Sequence, residues 1–78
     1  MTLTDFIALF TPVEWTSYMY WQMEGQAALW PPFVSAFIVK RIVDHDDFQT
    51  IVDSMLSVGE GLVITQERHD EVMLSQPA

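Results

Sequence analysis

Residues 13–25 read VEWTSYMYWQMEG, and whether they form a helix or a strand decides the fold class. Seven of the thirteen are Val, Met, Trp or Tyr, so the stretch has much apolar surface to cover however it folds. On a helix, at about 100° per residue, these side chains scatter around the axis among Glu14, Ser17, Gln22 and Glu24. As a strand the segment alternates better. Val13, Trp15, Met19, Trp21 and Met23 then share one face, with Glu14, Thr16, Tyr18, Tyr20, Gln22 and Glu24 on the other. Its aromatic and Thr content also suits a strand.

What decides for the helix lies just upstream. In TPVE (11–14), Thr11 fits an N-cap, Pro12 the first helical position, and Glu14 can reach back to the Thr11 amide. A strand would also need a partner strand, and the rest of the chain offers none. The neighbouring segments read as short helices. Thr2 can cap one bearing Phe6, Leu9 and Phe10 on a single face. After Trp30-Pro31-Pro32, Pro32 can open another carrying Phe33, Val34, Phe37, Ile38, Ile42 and Val43, with Lys40-Arg41 near its C-terminus. Asp46 is the expected cap of the cleanest amphipathic helix, in which Phe48, Ile51, Val52, Met55 and Leu56 recur at i, i+3, i+4, i+7 and i+8. Gly59 is expected to end it. GLVI (61–64) reads as a short extended link, and Thr65 as the cap of a last helix with Val72 and Met73. The expected fold is all-α, a single compact domain over residues 1–78 of four to five short helices with a loose tail at 75–78. The alternative is α+β with residues 13–23 as a strand.

A chain of 78 residues buries only ~60–65% of its unfolded surface, so its stability is marginal. With no Cys it has no disulfide, no thiol chemistry and no thiolate-bound zinc, and a cytoplasmic location is the expectation. The N-terminus lacks basic residues and has Asp5 early, so no secretory signal is expected. The longest uncharged stretch, Gly25 to Val39, contains Pro31-Pro32 and is too short and broken to span a membrane.

Charge is uneven along the chain. Residues 1–39 carry only Asp5, Glu14 and Glu24, whereas residues 44–78 carry eight acids against Arg68. A net charge of −8 repels phosphate, so direct nucleic-acid binding and anionic membrane surfaces are disfavoured. A basic protein surface is the natural counterpart.

Catalytic and metal readings are weak throughout. DHDD (44–47) clusters donors, but consecutive residues on a tight loop do not converge on one ion, so a solvated turn with an N-cap is the better account. His69 in ERHDE lacks ligand spacing; beside Asp70 and Glu71 it is placed to titrate near neutrality. GEG (59–61) has no phosphate-loop spacing. Ser17, Ser35, Ser54, Ser57 and Ser75 have no nucleophile context. Neither an enzyme activity nor a cofactor or metal is expected.

The aromatic stretch has the best claim to function. One helix has one inner side, so part of Trp15, Tyr18, Met19, Tyr20, Trp21, Met23 and Trp30 is expected to face outward and meet a protein. Asp46, Asp53, Glu60, Glu67, Asp70 and Glu71 are expected to form an acidic face that steers a basic partner. The resulting expectation is a small acidic inhibitor or adaptor that binds a basic protein, a nucleic-acid-binding one among the candidates, by imitating negative charge. In size and charge alone it compares with acidic accessory proteins of phages, antitoxins and immunity proteins. The alternative is a structural protein whose aromatic patch is its own interface; a homo-oligomer is expected.

Overall fold

The computed structural model describes residues 1–24, 31–56 and 63–78, with the backbone alone at 23 and 24. Five helices occur among the described residues: α1 (Leu3–Ile7), α2 (Pro12–Glu24), α3 (Pro31–Phe33), α4 (His45–Ser54) and α5 (Gln66–Met73). α3 runs directly into a π-helical segment, Val34–Lys40. The chain is all-α. The only extended pairing among the described residues is a single antiparallel bridge between Thr2 and Ile42. The stretch that decides the fold class is helical from Pro12 to Glu24, so the strand alternative does not hold.

Four helices start where a side chain takes up a free backbone amide. Thr2 accepts from the Asp5 amide at 3.2 Å, and Thr65 accepts from Arg68 at 3.2 Å. At α2 the capping box closes in both directions: the Thr11 amide donates to Glu14 at 2.8 Å and the Glu14 amide donates to Thr11 at 3.1 Å. Such caps contribute ~1 kcal/mol each. At α4 the expected cap is displaced by two residues. Asp44, not Asp46, has the extended backbone of a cap, and its carboxylate accepts from the Asp47 amide at 2.9 Å. Asp46 instead sits inside the first turn, where its charge complements the helix dipole.

The third helix also ends earlier than its apolar pattern suggests. Arg41 turns into the left-handed region, at φ 56°, directly after Lys40. That turn takes Ile42 and Val43 off the helix and lays them beside the N-terminal residues, where the Val43 amide donates to the Met1 carbonyl at 2.9 Å. The expected helix stop at Gly59 and the first half of the 61–64 link lie outside the described residues. Within the tail expected to be loose, two contacts reach His45. The Gln76 side chain donates to the His45 carbonyl at 3.0 Å, and His45 Nδ1 donates to the Pro77 carbonyl at 2.9 Å.

Phe6 is the hub of the core. Its ring meets Phe10, Trp15, Phe37 and Phe48 at centroid separations of 5.2, 6.2, 5.6 and 5.4 Å, most of them edge-on or tilted. Edge-to-face pairs of this kind add ~0.5–1.5 kcal/mol beyond the area they bury. The α4 face enters the same core through Phe48, Ile51, Val52 and Met55, and α5 adds Val72. The radius of gyration, 11.6 Å, is what a tightly folded chain of this length has, about 11.5 Å.

Candidate functional site

The aromatic stretch turns out to be covered largely by its own chain. Trp15 is half-buried against Phe10 and Phe37, with centroids 6.0 and 5.5 Å apart. Tyr18 is completely buried, which corrects the expectation that it faces a partner. The correction has a physical reason. Tyr18 lies 5.8 Å from the Trp21 ring, nearly parallel to it, and its hydroxyl finds partners indoors, Gln22 Nε2 at 3.1 Å and Ser54 Oγ at 3.3 Å. Hydrogen bonds to a buried Tyr hydroxyl offset the cost of taking that group out of water. Trp21 and Met19 are half-buried, and among the described members Tyr20, 69% exposed, faces outward. Trp30 and the Met23 side chain lie outside the described residues.

Met19 and Trp15 instead contribute to an open groove. Leu3 and Ile7 of α1 form one side, Trp15 and Met19 of α2 another, and Phe33, Phe37 and Ile38 of α3 and the π segment the third. Every lining residue is apolar, and the groove encloses about 390 Å³. Phe33 and Phe37 pack edge-on at 4.5 Å, and Trp15 rests on Phe37, so part of the lining is an interlocked aromatic cluster. Ile38 remains 52% exposed. Val39 and Ile42, next along the chain, are 73% and 53% exposed. Leu3, Ile7 and Ile38 are not among the site residues expected from sequence, where Ile38 figures only on a helix face. Only their convergence from two distant segments makes them a site.

The described members of the expected acidic face are all exposed, and three of them also hold partners within the molecule. Asp53 accepts from His69 Nε2 at 2.7 Å. Asp70 faces His69 Nδ1 at 3.1 Å and accepts from Gln66 at 2.9 Å. Glu71 is held by Arg68. Asp46 and Glu67 are exposed, and Glu60 lies outside the described residues. Several of the acids are therefore engaged within the molecule.

A branched polar contact joins residues 9 and 14 to residue 68. Arg68 Nε and Nη2 donate to the Glu14 carboxylate at 2.9 and 3.2 Å, and Nη2 also donates to the Leu9 carbonyl at 2.6 Å. Burial alone would raise the Glu14 carboxyl; the Arg68 and Thr11 bonds outweigh it and hold the group below its ordinary value. The Glu14 bond in turn raises Arg68. Sequence alone marks Glu14 as a capping residue and gives no sign of this second role.

His45 and His69 do not share a site: one holds the tail and the other faces Asp53. No group of three metal-donor side chains comes together among the described residues, and none of their helices is long and apolar enough to cross a membrane. No family model, curated protein or solved structure matches the chain.

Proposed function

We propose that the chain is a non-enzymatic protein-binding module whose groove receives the apolar face of a segment from a basic protein. One observation carries this reading. The all-apolar groove between α1, α2 and the π segment opens onto Ile38, which stays half exposed, with Ile42 half exposed and Val39 largely exposed beyond it. Covering one large side chain of this kind contributes ~1.5–3 kcal/mol, enough for three together to drive association. An amphipathic helix laid into an apolar groove is a common way to use such a surface. The charge of −8 favours a basic segment and speeds its encounter. Exposed Asp46 and Glu67 are the acids best suited to steering, because Asp53, Asp70 and Glu71 already hold internal partners.

The test is a titration of the full chain with a Lys- and Arg-rich amphipathic helical peptide, read by Trp fluorescence and by light scattering. Saturable binding is expected, strongly weakened by Ile38→Glu and moderately weakened by added salt or by Asp46→Lys with Glu67→Lys. Binding that ignores Ile38→Glu, or no binding at all, overturns the reading. A concentration-dependent dimer insensitive to the charge reversals would assign the same face to a second copy of this chain.

A further inference from the structure

α5 is eight residues long, too short to persist as a helix without tertiary contacts. Val72 and half-buried Met73 dock its apolar side, and Arg68 ties it to Glu14 and to the Leu9 carbonyl. Gln76 and Pro77, just beyond it, meet His45, and a further attachment is His69. The side chain is 12% exposed, with Nε2 2.7 Å from Asp53 of α4 and Nδ1 3.1 Å from Asp70 of its own helix. Gln66 Nε2 lies 3.4 Å from Nδ1, but its short bond, 2.9 Å, goes to Asp70. Arg68, the adjacent base, is committed to Glu14 and Glu71.

Both ring nitrogens of His69 therefore face carboxylate oxygens. Carboxylates only accept, and a neutral imidazole has one N–H to offer. Only the imidazolium satisfies both contacts. A neutral ring would set a lone pair against one of the two acids and lose the charge assistance of the other bond.

We propose that His69 is a proton-gated clasp: protonated, it bridges Asp53 of α4 and Asp70 of α5 and holds the last helix down, and its deprotonation loosens that helix. This reading is independent of the groove and its occupant. The Asp53 bond, then the Asp70 bond, raises the His69 pKa against the opposing effect of burial. A group whose folded-state pKa is raised stabilises fully below its unfolded value, near 6.5, and loses that contribution as pH rises through the folded value. The clasp is thus closed below about 6.5 and slackens as pH rises through the raised His69 value. Arg68, which keeps its charge throughout, makes this a loosening and not a release.

Imidazole NMR titrations of the full chain and of Asp53→Asn test the clasp, with His45→Gln leaving a single ring signal for assignment. His69 is expected to titrate above ~6.5 and to move down in Asp53→Asn, each pH unit of movement meaning a roughly tenfold weaker clasp. The melting advantage of the native chain over His69→Gln should be present at pH 6 and shrink by pH 9. Titration at or below ~6.5, no movement in Asp53→Asn, or an equal melting difference at both pH values overturns the proposal. If His69→Gln does not fold, the Asp53→Asn titration decides alone.

Discussion

Replacing Arg68 by Met keeps much of the side chain's length and removes its charge. The native guanidinium donates to both Glu14 oxygens and to the Leu9 carbonyl, and the side chains of Arg68 and Glu14 are 24% and 15% exposed. Hydrogen bonds to charged groups contribute ~1.5–3 kcal/mol, and breaking a fully buried pair costs ~3–5 kcal/mol. Here water reaches part of Glu14 once Arg68 is gone, which puts the loss at about 2–3 kcal/mol. The exposed Glu71 contact adds little. For a domain of this size that is a drop in Tm of about 10–20 °C, measured by circular dichroism. Glu14→Gln preserves the Thr11 cap contact, so the double variant should lose less than the sum of the singles by about 1–2 kcal/mol. A Tm for Arg68→Met within a few degrees of the native value, or strict additivity, would refute the reasoning. The acid limb gives a second check. Glu14 has a folded-state pKa below its unfolded one, so its stabilisation is present above pH ~4.3 and lost as pH falls through the folded value. Arg68→Met should flatten that loss.

Three further outcomes follow from local geometry. Tyr18→Phe removes the hydroxyl between Gln22 and Ser54 while keeping the ring, and should lower the urea midpoint by the equivalent of about 1–2 kcal/mol. Arg41→Gly relieves a left-handed residue at the end of the π segment and should stabilise by about 0.5–1 kcal/mol, seen as a higher Tm; a lower one would mean that the Arg41 side chain matters more than its backbone. Asp44→Ala should cost ~1 kcal/mol in thermal unfolding and Asp46→Ala clearly less, because only Asp44 accepts the Asp47 amide; the reverse order would place the α4 cap where sequence alone puts it.

Local signals proved legible and distant ones did not. The caps at Thr2, Thr11 and Thr65 each bind an amide three residues on, so short sequence windows contain the whole interaction. The α4 face is likewise periodic, and its inward residues follow from spacing. Within DHDD three acids compete for one capping position, and which of them takes it depends on where the preceding turn leaves the backbone extended. That turn follows from Arg41, whose positive φ no propensity announces. The helical state of residues 12–24 was readable from the cap, but the direction its aromatics face was not. Trp15 and Tyr18 turn inward because Phe37 and Ser54 come from elsewhere in the chain to meet them. The groove depends on the same convergence, and so does the pairing of Glu14 with Arg68, 54 residues away.

The Arg68 bond to the Leu9 carbonyl spans 59 residues, and this has a bearing on how the chain is made. Helices α1 and α2 are synthesised before residue 68, and their starts are set by local caps. The carboxylate of Glu14 and the carbonyl of Leu9 then wait in water until the last helix arrives. Bringing that helix back across the molecule is the costliest loop closure among these contacts, so they form after the local caps. Until that moment the nascent chain exposes the core edge that Val72 later covers, the interval in which such a small domain is most open to proteases and to misassociation.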